Sequence, residues 1–304
     1  MKKYLLRTTI ISVSGTIGFL IGQQSEKRNN EQIQNRLVSV IENLPGLPLF
    51  GTVSAAVPVP NENDIYDFSE ANTKLKRVSE IMKYGFPGLD NVKSYQDFVL
   101  SYDQRNRIAH WVFEHLNKDT IRKNKNIDRS KCSFREDESI HNFFRSTNKD
   151  YKQSGFDRGH LAAAGNHRIC QEYVDETFLL SNIAPQVGPG FNRDIWNDLE
   201  KYVRKLTRIY KNVYVCTGPL YLPRQVIGSN NIAVPTHFFK VIIIENDNND
   251  LEMETYVMPN QVIENGTPLH VFQVPPESIE RASGLLFFTR ISKNKLKRIN
   301  NKKL

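Results

Sequence analysis

SGFDRGHLAAAGNHR runs from Ser154 to Arg168. Asp157, Arg158 and His160 fall within four positions, and Leu-Ala-Ala-Ala-Gly follows them. A buried strand has no use for that charge, and a solvated loop has no use for those alanines. The stretch therefore reads as a site, and a phosphodiester fits its chemistry. Hydrolysing that anion needs a base for water, positive charge on a crowded oxyanion, and stabilisation of the leaving oxygen. His160 suits the base, because imidazole titrates nearest to working pH. Arg158 can make paired hydrogen bonds to phosphate oxygens. A divalent cation suits the leaving oxygen.

The ion needs ligands, and LLSNIAPQVGPGFNRDIWNDLEKY, residues 179–202, supplies them in Asn182, Asn192 and Glu200. Amide and carboxylate oxygens are hard donors suited to magnesium, which keeps several waters and takes few protein ligands. Asn192 follows Gly-Pro-Gly-Phe, where a helix is expected to open. On an ideal helix Glu200 would lie about 80° around and about 12 Å along from it. Direct ligation by both is then awkward, and Glu200 is expected to hold the ion's water shell.

The helix itself is predicted over 192–211. Ile195, Leu199, Tyr202, Leu206 and Ile209 give it an apolar stripe. Lys201, Arg204, Lys205, Arg208 and Lys211 share another face. Alone, such a basic stripe is a solvated face; beside a phosphodiester site it can track a nucleic-acid backbone.

Away from these motifs the chain is uneven in charge. The net charge of +8 comes from its ends. Residues 1–60 hold six Lys/Arg against three Asp/Glu, and residues 291–304 hold six Lys/Arg and no acid. Residues 61–290 carry 29 basic and 30 acidic side chains, so a nucleic-acid surface there must be a local patch. Three cysteines, Cys132, Cys170 and Cys216, form neither a disulfide framework nor a zinc pattern.

Four segments are expected. Residues 1–24 begin with Lys2, Lys3 and Arg7 before any acid and continue as an apolar run, which reads as a secretory or an organellar signal. About 15 apolar residues are short of the roughly 20 that span a bilayer. Residues 25–61 read as a linker, 62–290 as a mixed α/β (α+β) domain, and 291–304 as a disordered basic tail. Within the domain, 73–85 predicts a helix ending at Gly85. DFVLSYD (97–103) and RIAHWVFEHL (107–116) predict paired strands. NVYVCTGPLY (212–221) predicts a strand running into a Gly-Pro turn. HFFKVIIIE and LEMETYVMP predict a hairpin around NDNND, and PPESIERASG (275–284) a short helix.

DRGH, SNIAPQ and FNRDIWNDLE occur here in the order found in the DNA/RNA non-specific endonucleases with a ββα-metal site, and the chain resembles that family. KYGFPGL, CSFREDESIHNFFRSTNKDY, NVYVCTGPLYLPR, VPTHFFKVIII, TYVMPN and PPESIERASGLLFF extend the likeness over about 70–290, toward the family's mitochondrial members. The resemblance implies a central antiparallel β-sheet flanked by helices. It implies His160 as general base, Asn192 as direct metal ligand, Glu200 as ligand through water, Asn182 as an orienting residue, and Asp157 and Arg158 as signature residues with Arg158 facing phosphate. It further implies magnesium, with manganese as the alternative, DNA and RNA as substrates, and a homodimer. The location implied is the mitochondrial intermembrane space, with inner-membrane association through the N-terminus and transfer to the nucleus after release.

One departure is visible. Secreted bacterial members carry a catalytic arginine some thirty residues before their histidine. The corresponding region here reads Ser130 to Arg135, with Cys132 near that place and Arg135 left unassigned. Cys132 is expected to be a structural thiol, with redox sensitivity as the other reading. Two rival functions stand beside the nuclease. A secreted or exonuclease-type relative would differ in its signal and its products. A catalytically silent, membrane-tethered nucleic-acid-binding protein would keep the basic helix but would not need His160, Asn192 and Glu200 together.

Overall fold

The computed structural model describes residues 76–86, 90–221, 225–292 and 294–304. The expected targeting segment, the linker and residues 73–75 of the first expected helix lie outside them. A helical segment at 76–81 comes first. Then follow β1 (Val92–Ser94), β2 (Phe98–Asp103), β3 (Ile108–Leu116), α1 (Asn148–Tyr151), β4 (Asp157–His160), α2 (Gln171–Thr177), β5 (Ile183–Gln186) and α3 (Ile195–Leu206). The second half holds β6 (Asn212–Leu220), β7 (Gln225–Ile227), β8 (Ile232–Val234), β9 (His237–Glu245), β10 (Leu251–Pro259), α4 (Pro276–Ser283), β11 (Leu296–Ile299) and β12 (Lys302–Lys303).

One sheet organises the rest. Its order is β1-β2-β3-β6-β9-β10-β11-β12, antiparallel except where β10 meets β11. Its central strands are apolar on both faces, because successive side chains point opposite ways. Val213 and Val215 of β6 and Phe238, Ile242 and Ile244 of β9 face one core, which α3 covers with Ile195, Trp196, Leu199, Val203 and Leu206. Tyr214, Cys216, Phe239, Val241 and Ile243 face the other, covered by Ile81 and Met82 and by Ile279 of α4. This is the antiparallel sheet flanked by helices that the resemblance implied. The strand pair β2–β3, the β9–β10 hairpin, and α4 with its left-handed Gly284 stop at φ 72° all form as the sequence predicts.

Three expectations fail. Gly218 and Pro219 make no turn; β6 runs through them to Leu220. Pairing with β3 stops at Thr217, so Pro219 owes no hydrogen bond on that side. At Gly218 a Cβ would lie 2.5 Å from the His110 carbonyl, so the bare backbone permits the approach. The basic tail is not disordered: β11 runs beside β10, with Leu251 opposite Leu296 and Met253 opposite Ile299, and β12 folds back on it. Leu296 and Ile299 pack on the second core, while Lys297 and Arg298 face Asp250 and Glu252. Finally, α3 is shorter than 192–211. It ends at Leu206, which leaves Ile209 73% exposed rather than in the apolar stripe.

Candidate active site

DRGH is β4, and it pairs antiparallel with β5 in a small sheet of its own. A kinked turn at Gly188–Asn192 then leads to α3, giving strand, strand and helix. Strand alternation sorts the motif. Arg158 and His160 share one face, where both meet Phe134: the guanidinium carbon is 4.3 Å from its ring centre, and the imidazole centroid is 5.5 Å away. Asp157 and Gly159 share the other. Gly159 is glycine because the buried Gln186 side chain crosses it; a Cβ would fall 2.0 Å from Gln186 Oε1.

His160 ends the strand, as expected. Phe134 and Phe178 wall its ring, the latter edge-on at 4.8 Å. Its Nε2 is sealed from solvent and has no hydrogen-bond partner among the described residues. Burial first, then the positive charges of Arg129 and His167, push its pKa down to about 3. That shift favours the neutral ring, which keeps an unshared pair for a proton, while taking it below the working range in which a general base is strongest. Asn182 is fully buried and pins the chain just past the motif. Its Oδ1 accepts from Ala162 N at 2.9 Å, and its Nδ2 donates to the carbonyls of Ala162 and Thr177.

Asp157 does not pair with Arg158, its neighbour in sequence. Arg158 donates to Asn148 Oδ1 at 2.7 Å. Asp157 instead accepts from Arg193 Nη2 at 2.6 Å and from Asn192 Nδ2 at 3.0 Å. The Arg193 hydrogen bonds hold its carboxyl below the usual range, against partial burial. The Asp157 contact also orients the Asn192 amide: with Nδ2 committed to a carboxylate, Oδ1 is the end left to bind a cation. Asn192 does not open the helix. It closes the kinked turn, in which Gly190 takes φ 78°, and the helix begins at Ile195. The ideal-helix spacing from Asn192 to Glu200 therefore does not apply.

Glu200 lies on α3 with Arg204 Nη1 at 3.9 Å. Burial raises its pKa, opposed by the charges of Lys240, Arg204 and Arg129. Arg204 leaves the solvated stripe. It is half-buried and donates to Asn166 Oδ1 at 3.0 Å, with its guanidinium carbon 3.2 Å from where a Gly165 Cβ would stand. Lys201, Lys205 and Arg208 remain exposed, and Lys201 pairs with Asp198.

Two charged residues near the site carry no motif of their own. Lys240 is buried beneath α3, over the Trp196 ring, donating to Thr217 Oγ1 at 2.6 Å. Arg129 lies over Phe178, the same ring that walls His160, and its charge reaches His160, Glu200 and Arg204. Its signal was spacing alone: it stands three positions before Cys132. Arg135, the other arginine of that region, is tied to the Asp175 carbonyl at 2.9 Å. Cys132 packs with Ala164, Val174 and Phe178, and burial, then Asp175, raises its thiol to about 11, the direction opposite to that of activated thiols.

The oxygens that Asn192 and Glu200 offer, an oriented amide and a carboxylate, are of the kind a magnesium-type ion takes beside its own waters. Among the described residues no group of three or more His, Cys, Asp or Glu could hold a metal.

The sequence model of the DNA/RNA non-specific endonucleases matches residues 77–294. The chain belongs to that family. This non-specific endonuclease is a hydrolase, and the family is one of metal-dependent nucleases. It is 56% identical over 223 residues to the mitochondrial endonuclease G of Homo sapiens, covering 70% of this chain and 74% of that one. It is 46% identical over 278 residues to the mitochondrial endonuclease G of Caenorhabditis elegans, covering 84% and 90%. A chain in the crystal structure of the EndoG/EndoGI complex, which describes EndoG inhibition, superposes with a TM-score of 0.73 at 62% identity, covering 75% of this chain and 97% of that one. These likenesses group the endonuclease with mitochondrial nucleases.

Proposed function

We propose that this endonuclease cuts DNA and RNA by metal-assisted hydrolysis, with magnesium as the ion and manganese as the alternative. The observation that carries the proposal is the imidazole of His160 at the end of β4, its Nε2 buried without a partner among the described residues, on the strand whose first residue orients the Asn192 amide. His160 takes the proton from the attacking water. Its Nε2 is sealed, which leaves Nδ1 for that task. Arg158, stacked beside the ring on Phe134, holds a non-bridging phosphate oxygen, and Arg129 and Arg204 add positive charge. Asn182 fixes the turn that follows the base. Asn192 Oδ1 would hold the ion directly and Glu200 would hold it through water. When bound, the ion supplies Lewis-acid stabilisation of the leaving oxygen.

The test is nicking of supercoiled plasmid and cleavage of RNA, with magnesium, with manganese and with chelator. Both substrates should be cut at many positions with either ion and neither with chelator. Undiminished cutting in chelator would overturn the metal-assisted reading.

Lys201, Lys205 and Arg208 extend the proposal to substrate binding, because the two lysines stay exposed on the helix that carries Glu200 and Arg208 stays exposed in the turn just past it. A Lys201→Ala/Lys205→Ala variant should bind more weakly and lose about one unit of salt slope per phosphate contact removed. Sequence preference should not change, because phosphate contacts carry no base information. An unchanged slope returns these lysines to a solvated face. The likeness to mitochondrial endonuclease G also supports a homodimer and residence in the intermembrane space, with inner-membrane association through the N-terminus and nuclear entry after release.

A further inference from the structure

Behind the site runs a line of charge that ends on Arg204 and Glu200, and its inner members, His167, Asp97 and Glu114, have no part in the hydrolytic roles. His167 is fully buried. Its Nδ1 is 2.7 Å from Asp97 Oδ2, and its Nε2 is 3.0 Å from Glu114 Oε1. A carboxylate only accepts hydrogen bonds, so both ring nitrogens donate and the ring is an imidazolium. Burial alone would lower its pKa; the hydrogen bonds and charges of Asp97 and Glu114 carry it up to about 9.

The line continues in both directions. Arg77 closes the outer end, with Nη2 2.6 Å and Nε 2.9 Å from Asp97 Oδ1. Inward, Glu114 Oε1 also accepts from Asn166 Nδ2 at 2.8 Å, and Asn166 Oδ1 accepts from Arg204 Nη1 at 3.0 Å. Arg204 faces Glu200. Arg77, Asp97, His167, Glu114, Arg204 and Glu200 thus alternate in sign from the helical segment 76–81 to α3. The Asn166 amide has one orientation open to it, because flipping would set its NH2 against the guanidinium and its oxygen against the carboxylate. The aim of Arg204 is therefore dictated by Glu114, and Glu114 is fixed by His167. Apolar side chains would fill the same volume at equal or lower cost, so what this arrangement contributes is geometry.

We propose that His167 is a positioning residue for the nuclease reaction, holding Glu114 and Asn166 so that Arg204 is fixed beside Glu200 and the substrate phosphate. This rests on the reading of the site above, in which Arg204 adds positive charge at the phosphate.

The experiment measures kcat, KM and the salt slope of plasmid nicking at fixed magnesium for His167→Gln, Asn166→Leu, Arg204→Gln and the two double variants with Arg204→Gln. Thermal melting and circular dichroism report folding separately. His167→Gln and Asn166→Leu should each lower kcat on the order of 10-fold, the size typical of outer partners of a site. Each should also flatten the salt slope by about one, as Arg204→Gln itself should. A buried histidine cannot touch nucleic acid, so a merely structural role would not move that slope. In the Arg204→Gln background neither change should cost more, because members of one network are not additive. If His167→Gln does not fold, Asn166→Leu carries the same test one step nearer to Arg204. A folded variant with wild-type kcat and slope, or losses that multiply with Arg204→Gln, overturns the proposal. His160→Ala is assayed alongside: full activity there sinks the reading of the site itself, a failure distinct from additivity in the relay.

Discussion

His160→Ala should lower the plasmid-nicking rate by about 10² to 10⁴-fold, the usual worth of a positioned general base, in a protein that still folds. No neighbour can take over. His167 is seven positions on, but both its nitrogens are engaged by Asp97 and Glu114. Arg158 and Arg129 carry no basic lone pair at working pH. The pH profile gives an independent check. With its pKa pushed down to about 3, chiefly by burial, His160 is already in its basic form at pH 5. The acid limb of kcat/KM, which reports the free enzyme, should therefore lie below pH 5 and not near 6.5. The sign for stability follows from the same shift. A ring held neutral by the fold contributes stability that is fully present above the unfolded pKa of about 6.5 and lost as pH falls toward 3. His160→Ala should accordingly soften acid unfolding while removing activity. A variant within ten-fold of wild type, or a wild-type acid limb at 6.5, would mean that another group is the base.

Much of this arrangement is legible in the sequence, and the exceptions share a cause. The β9–β10 hairpin is readable because two apolar runs flank an Asn/Asp-rich turn, and α4 because Pro276 and Gly284 mark its ends. The site is readable as an ordered set of residue types. Its pairings are not, because sequence neighbours on a strand face opposite ways. Asp157 therefore reaches Arg193, thirty-odd positions away, while Arg158 beside it reaches Asn148. Helical spacing likewise failed from Asn192 to Glu200, since Gly190 turns the chain before the helix begins. Arg204 sits at a regular position in the basic stripe, yet it folds inward because Gly165 leaves room and Asn166 offers an acceptor. Those contacts are between distant segments, as is the pairing of the basic tail with β10. Periodicity carries no information about them.

Asn192→Ala should produce the opposite pattern to His160→Ala. It removes the amide oxygen that Asp157 has turned outward, so the magnesium concentration for half-maximal nicking should rise. Calorimetric metal affinity should fall by about 10- to 100-fold or more, since even outer partners of a metal ligand are worth that much. Asp157→Ala should show a weaker version of the same defect although Asp157 is not itself a ligand, because the Asn192 amide is then free to rotate. Glu200→Gln should fall between them: it loses the charge proposed to hold the ion through water but leaves the proposed direct oxygen in place. His160→Ala should bind magnesium as the wild type does, since imidazole is not among the proposed donors. The two kinds of variant thus separate proton transfer from metal binding, one moving the rate at saturating magnesium and the other the magnesium needed to reach it. If His160→Ala abolishes metal binding and Asn192→Ala leaves it intact, the roles assigned to the two residues are reversed. The histidine would then be a ligand, and the proton from water would have to pass to another group.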